Sequence, residues 1–421
     1  MLTFYRQLFV GLPRDVWLLS LVTFVYRSGT MVLPFLTLYL TTRQGFAAQE
    51  AGGVLSLYGV GSIGGSYLGG VLSDGLGPLR TQFWRLMLTA GSLVLLSAMQ
   101  SPAAIVAPVL GMSIFAGTQH PANAAALAAA SPPNLQVRAF TLRRLSMNLG
   151  MSIGPAVGGV LAAYSYLWLF WVEASVCLIA AALLQAFFRH PLRGAAKEES
   201  LRENISASAR SPYRDNVFLV LLVLVTLFVT VLCQLFGAYP LTLTEVYGLP
   251  AYAIGLVFTL NTLVIVVFQM PIAHAVERFD SLQVVGVGAF LLCLGFALLS
   301  CTSSPLLIGG TVLVWTLGEM LTTPLLEGFV AARSRGAHQG QYMGLFSTAF
   351  SIAFVLAPLG GTWIYDVYGY RAVWWTCGGL GVLLWGAFSL LSLEVRNQRL
   401  VFNAELPPPS IRTNVDNVSA E

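Results

Sequence analysis

Charge is what this chain has least of. Of its 421 residues only 10% are Asp, Glu, Lys or Arg, against 56% hydrophobic, and the mean hydropathy is +0.75. Soluble domains carry roughly 25% charged residues, so the chain has less than half the charge needed to coat a water-facing surface. A soluble enzyme and a disordered chain are both excluded. So is an outer-membrane barrel, whose apolar residues alternate along each strand, because here they run on without interruption. Lysine is almost missing: Lys197 is the one lysine among 22 basic residues. The five cysteines (Cys177, Cys233, Cys293, Cys301, Cys377) stand singly in apolar runs, with no CxxC pair and no histidine cluster. They read as small buried hydrophobes. No Walker loop, HExxH, GxSxG or pair of intramembrane aspartates occurs. Neither an enzyme, a metal, a cofactor nor a nucleic-acid partner is expected.

What the chain has in quantity is apolar runs of about 20 residues, the length that crosses a bilayer as a helix. Twelve are predicted, near 16–41, 50–72, 82–99, 103–128, 138–163, 166–188, 216–243, 251–275, 282–301, 305–332, 341–366 and 372–395. They are called spans 1 to 12 below. The first follows a short N-terminus with no small-residue cleavage site and reads as an uncleaved anchor. The fold class is therefore all-α and polytopic. The charged stretch 189–215 divides it into an N-terminal six-helix bundle (1–188) and a C-terminal one (216–395), followed by a disordered tail (396–421). With both termini in the cytoplasm, 19 basic residues fall on or near the inner side, only Arg43 and Arg371 fall outside, and Arg27 sits within a span. The positive-inside rule selects that orientation, in a cytoplasmic (inner) membrane.

The two halves repeat at an offset of 203 residues. Pro121 matches Pro324, Pro155 matches Pro358, Gly52 matches Gly255, Val54 matches Val257, Asp74 matches Glu277 and Trp171 matches Trp374. Six-plus-six parallel repeats are the architecture of major facilitator transporters. The residues themselves carry the resemblance further. Gly70-Val-Leu-Ser-Asp74-Gly-Leu-Gly77 resembles the loop 2–3 motif of that superfamily, G-x-L-a-D-r-x-G-r-k, with Gly75 at its usual arginine and Arg80 one place late. Gly150-Met-Ser-Ile-Gly154-Pro155-Ala-Val-Gly158-Gly159 resembles the span-5 antiporter motif of its twelve-span drug:proton antiporter branch. The resemblance implies a gate built on Asp74, its counterpart Glu277 and the nearby Arg80 and Arg138. It also implies that Gly154 and Pro155 bias the helix packing that accompanies antiport. The small residues of that run let helices approach closely in any case.

Ionisable groups at bilayer depth cost at least about 2.5–3.5 kcal/mol each, so they should face a cavity or a partner. In the implied architecture spans 1, 4, 7 and 10 line the central cavity. Arg27 lies in span 1, Gln119, His120 and Asn123 in span 4, Gln234 in span 7, and Trp315, Glu319 and Glu327 in span 10. Two readings of the acids stay open. Glu319, or else Glu327, carries a proton that it releases when the cavity opens to water; or one of them forms a structural ion pair with Arg27 or Arg144. Arg27 keeps its proton, so it either anchors a carboxylate or phosphate on the solute or serves as a counter-ion. His120 is either a proton relay or a satisfied buried histidine, and Glu173 in span 6 reads as a buried, hydrogen-bonded acid. Trp315, Tyr39, Tyr58, Phe236 and Tyr239 could each stack on a solute or simply pack.

The expected function is proton-coupled transport of a small organic solute by alternating access, in the direction of export. The alternatives are a proton symporter importing peptides, amino acids or another zwitterionic or anionic solute, and a non-transporting receptor or scaffold. The expected partners are the solute, protons and the lipid bilayer, around a monomer.

Overall fold

The computed structural model describes residues 11–99, 101–132, 135–188, 212–276, 278–301, 304–333 and 339–405. Among these residues every regular element is helical. The solvent dictates this: hydrocarbon offers no partner to a backbone N–H or C=O, so each span must satisfy its own. Nine helical segments among the described residues are long and apolar enough to cross a membrane. Spans 2, 3 and 4, helical over Ala48–Leu76, Pro78–Ala98, Pro102–Gly117 and Gln119–Ala130, complete the twelve. Large apolar side chains such as Trp84, Trp168, Leu306 and Leu390 are exposed around the perimeter, as a lipid-facing surface requires.

Three of the spans expected to line the cavity are interrupted. Span 1 is built as Arg14–Ser28 and Val32–Thr42. Span 4 breaks at Thr118. Span 7 runs as Asn216–Leu232, a 3-10 turn at Cys233–Phe236, Ala238–Leu241 and a π turn at Thr242–Val246. Each break lies about one turn before a proline (Pro34, Pro121, Pro240), whose ring crowds the carbonyl four residues earlier. Glycines Gly29, Gly117 and Gly237 sit at the breaks. By contrast, Pro155, Pro324 and Pro358 lie inside helices that continue through them.

Within the first half span 1 packs on 5, 2 on 4 and 3 on 6; within the second, 7 packs on 11, 8 on 10 and 9 on 12. The halves meet through spans 2 and 11 and through spans 5 and 8. The sequence repeat is visible in these contacts. A methyl group on Gly52 would lie 2.7 Å from the Pro358 carbonyl oxygen, and one on its repeat partner Gly255 would collide with the carbonyl oxygen of Pro155, the repeat partner of Pro358. A methyl on Gly159 would likewise lie 2.7 Å from the Ala251 carbonyl.

Two boundaries differ from expectation. Span 2 stays helical to Leu76, so Asp74 is in its last turn and not in the following loop; Gly77, at φ 87°, then makes the left-handed turn that reverses the chain, with Pro78 starting span 3. The last helix continues past residue 395 to Glu405, because Arg-Asn-Gln-Arg-Leu-Val-Phe-Asn-Ala-Glu holds no Gly or Pro to stop it. Of the expected linker, residues 189–211, and of the tail, residues 406–421, lie outside the described residues.

Candidate functional site

The break in span 1 organises the polar interior of the first half. It leaves a helix C-terminus and a helix N-terminus facing each other deep in the protein, with partial negative and positive charge respectively. Arg27 occupies the last turn before the break. Glu173 of span 6 answers the other end: its Oε2 accepts hydrogen bonds from Met31 N at 2.9 Å and Val32 N at 2.7 Å. A buried acid thus caps the second half-helix. The span-5 glycines lie against the same break. A methyl on Gly150 would sit 2.6 Å from Arg27 Cβ, on Gly154 2.7 Å from the Thr30 carbonyl oxygen, and on Gly158 2.8 Å from Met31 Cβ. The motif therefore has two working faces: Gly150, Gly154 and Gly158 seat span 1, while Pro155 and Gly159 meet span 8.

Around Arg27 the first half gathers further cations. Arg85 of span 3 is buried, its guanidinium carbon 4.4 Å from the centre of the Tyr26 ring, and that of Arg27 lies 5.7 Å from the same ring. Arg143 of span 5 donates to Asn123 Oδ1 at 3.3 Å, and Asn123 Nδ2 donates to Thr23 Oγ1 at 3.2 Å. Asn123 thereby ties spans 1, 4 and 5 together. Tyr58 of span 2, within electrostatic range of Arg27, Arg85 and Glu173, packs on Phe354 of span 11, which in turn contacts Phe236 of span 7. These rings stand where the two halves meet.

The second half contributes acids. Glu319 Oε2 accepts from Asn261 Nδ2 at 3.1 Å, and the same amide donates to Thr316 Oγ1 at 3.1 Å. Among the described residues Glu319 has no ion-pair partner. Glu327 has one: its Oε2 lies 2.9 Å from Arg144 Nη1, joining span 10 to span 5 across the halves. Asp215, at the N-cap of span 7, takes a bidentate pair of 2.6 Å bonds from Arg333, a 3.0 Å bond from the Tyr342 hydroxyl and one from Phe218 N. Burial pushes its carboxyl up, but the Arg333 fork, the Phe218 amide and Tyr342 outweigh that and hold it below the ordinary aspartate range.

Four other hydrogen bonds among the described residues join the halves. Thr37 Oγ1 donates to the Phe236 carbonyl at 2.7 Å, Ser56 Oγ to the Val355 carbonyl at 2.8 Å, Thr259 Oγ1 to the Ser152 carbonyl at 3.2 Å, and Gln49 N to Asp366 Oδ2 at 2.7 Å. At about 0.5–1.5 kcal/mol each they total ~2–6 kcal/mol.

Several expected site residues are placed elsewhere. Trp315 is fully buried in the core of the second half, stacked on Phe296 at 5.7 Å and edge-on to Tyr239. It faces span 9 and not the cavity, since Gly295 opens a slot for it there. Gln234 is buried too, donating to the Ala357 carbonyl at 2.9 Å and filling the space beside Gly361. It links spans 7 and 11 of one half. Gln119 is half-buried, whereas Arg80 and Arg138 are exposed. The side chains of Asp74 and His120, and Glu277 as a whole, lie outside the described residues. Sequence alone does not single out Arg85, Arg143, Asn261 and Asp215 as site residues. Asn261, an amide in the apolar run of span 8, carries the same signal as Asn123 but lies outside the expected cavity helices. Arg85 reads from sequence as an interfacial charge because it falls one turn inside its span.

Two six-helix bundles related by a repeat, interrupted helices at their interface and charged side chains between them match the architecture of secondary transporters. A profile of the Major Facilitator Superfamily matches residues 18–249 and 234–414, and the chain belongs to that family. It is 25% identical over 367 residues to the MFS-type transporter YttB of Bacillus subtilis (strain 168), covering 86% of this chain and 91% of YttB. It is 23% identical over 387 residues to the multidrug resistance protein MdtH of Photorhabdus laumondii, covering 89% and 92%. In fold it resembles a POT family transporter crystallised with 5-aminolevulinic acid, with a TM-score of 0.79 at 15% identity over 92% of this chain and 98% of that one.

Proposed function

We propose that this transporter couples solute movement to protons through Glu319, working as an exporter in the cytoplasmic membrane with both termini inside. The observation that carries the coupling is the contrast between the two acids of span 10. Glu327 is paired with Arg144, whereas among the described residues Glu319 takes a hydrogen bond from Asn261 and has no ion-pair partner. An intramembrane carboxylate without an ion-pair partner is costly, and taking up a proton removes that cost. The Arg144–Glu327 pair joins the halves, and the hydrogen bonds at Thr37, Gln49 and Ser56 tie span 1 to span 7 and span 2 to span 11. In the proposed orientation the latter three must break for the solute to leave. At about 0.5–1.5 kcal/mol each these three bonds total ~1.5–4.5 kcal/mol, which is commensurate with about 2.3 kcal/mol per charge per 100 mV across the membrane. One or two protons per cycle are therefore enough to reopen them.

Export is supported by the MdtH relatives, named for multidrug resistance, and by the packing of the antiporter-like glycines on spans 1 and 8. A second reading, proton symport of an anionic or zwitterionic solute, is favoured by the arginines around Tyr26. Inside-out vesicles energised to an acidic interior test both, with a pH-gradient dye as readout. Exporter activity predicts that 2-naphthalenesulfonate, a permanently charged aromatic anion, collapses part of the gradient in vesicles carrying the protein and not in vesicles lacking it. Gradient collapse absent with the sulfonate but present, in right-side-out vesicles, with dialanine would replace the first reading by the second.

A further inference from the structure

We infer that the wall formed by Arg27, Arg85 and Arg143 is a binding site for the anionic group of the solute, a carboxylate or phosphate carried on an aromatic or acyl body. Three guanidiniums converge in the first half, and none has a complete set of partners. Arg27 Nε, Arg85 Nε and Nη1, and Arg143 Nε are buried without a hydrogen bond, although Arg85 itself is only 4% exposed. A guanidinium presents five donors that match a carboxylate or phosphate in pairs, and a buried donor left unpaired is costly.

Among the described residues the protein's own anions do not fill the need. Glu173 is the acid within electrostatic range of Arg27, but its Oε2 is committed to Met31 N and Val32 N. Glu327 is committed to Arg144, and Glu319 has Arg144, not Arg27, within electrostatic range. Arg27 and Arg143 add to each other's positive field. The wall also faces the partner half. Arg143 lies within electrostatic range of Glu327 in span 10, and Tyr58, within electrostatic range of Arg27, touches Phe354. The rings of Tyr58, Phe354 and Phe236, with centroids 5.5 Å apart in each pair, supply an apolar platform beside the cations. An anionic head on the arginines and a flat or acyl body on the rings satisfies both.

The inference rests on the transport reading, yet binding needs neither a gradient nor a direction. The test is equilibrium dialysis of the purified full-length chain in dodecyl maltoside with three probes of one shape: 2-naphthoate, neutral 2-naphthamide and cationic 2-naphthylmethylammonium. Saturable naphthoate binding, at least about tenfold tighter than either of the others, is the expected result. Arg27→Gln should abolish that preference, Arg143→Gln should weaken it, and Arg27→Lys should retain part of it. Arg85→Gln disturbs a buried packing site, so the deciding comparison is between the two Arg27 variants, whose thermal stability is checked alongside. Phosphatidylglycerol added to the micelles separates the sources of the anion. Competitive displacement of naphthoate identifies a lipid headgroup, and its absence identifies a soluble solute; either outcome keeps the anion site. Absence of saturable naphthoate binding, equal or tighter binding of the cation, or unchanged naphthoate affinity in folded Arg27→Gln overturns the inference. Naphthoate binding is measured without a pH gradient, so loss of proton-driven flux in Glu319→Gln is separable from failure of the anion site, which is read from the Arg27 variants.

Discussion

Replacing Glu173 should damage the first half more than its place on a peripheral helix suggests. Its carboxylate accepts two backbone N–H groups at 2.9 and 2.7 Å, both at the start of a half-helix inside the protein. Hydrogen bonds to a charged group contribute about 1.5–3 kcal/mol each, and a buried N–H without a partner costs about 1–3 kcal/mol. Glu173→Leu removes both hydrogen bonds, so ~3–6 kcal/mol is at stake. Relief of burying the carboxylate offsets part of that. Glu173→Gln keeps an oxygen in place and loses the charge, and should cost about half as much. Reversible unfolding in mixed dodecyl maltoside and SDS micelles, followed by tryptophan fluorescence, measures the difference. Cys177, one turn farther along span 6 and buried, gives a local readout: its maleimide labelling should rise in the leucine variant and stay near wild type in the glutamine variant. A leucine variant within about 1 kcal/mol of wild type, with Cys177 still protected, would refute the capping role.

Three further outcomes are expected. Asp366→Asn weakens the bond that ties the end of span 11 to the start of span 2. It should raise the labelling of a single cysteine placed at Thr37, and unchanged labelling would count against a latch there. The Arg144–Glu327 pair is partly open to solvent, with side-chain exposures of 34% and 47%. A double-mutant cycle should therefore give no more than about 1 kcal/mol in stability, while either single mutant should shift which end of the cleft is accessible. Asp215 is held below the ordinary aspartate range, so its contribution to stability is present above pH 3.8 and is lost as pH falls below that value. The stability gap between wild type and Asp215→Asn should accordingly stay constant through neutral pH and close in acid; a gap that widens in acid would contradict the sign.

The fold was legible because hydrocarbon leaves so few solutions. Long apolar runs had to be helices, and the 203-residue offset already paired Gly52 with Gly255 and Pro155 with Pro358, residues that turn out to make the reciprocal contacts between the halves. The site was legible only where a residue broke the apolar rule on its own. Arg27 stood out as the one charge in its run, Glu319 as an acid in the middle of span 10, and Glu173 as an acid needing partners. What did not show was direction around the helix axis. Trp315 and Gln234 lie in helices expected to face the cavity, yet they point back into their own half, and no composition reveals which face of an all-apolar helix is inward. Arg85 was hidden differently. A boundary error of one turn separates an interfacial arginine from a buried one, and sequence boundaries are no sharper than that.

The central claim is that Glu319 links proton movement to solute movement without being needed for the exchange of conformations. Reconstituted Glu319→Gln protein tests it when counterflow and gradient-driven transport of one solute are measured side by side. Counterflow that persists, together with loss of accumulation driven by a pH gradient, is the predicted result. Accumulation at the wild-type level in that variant would contradict the account.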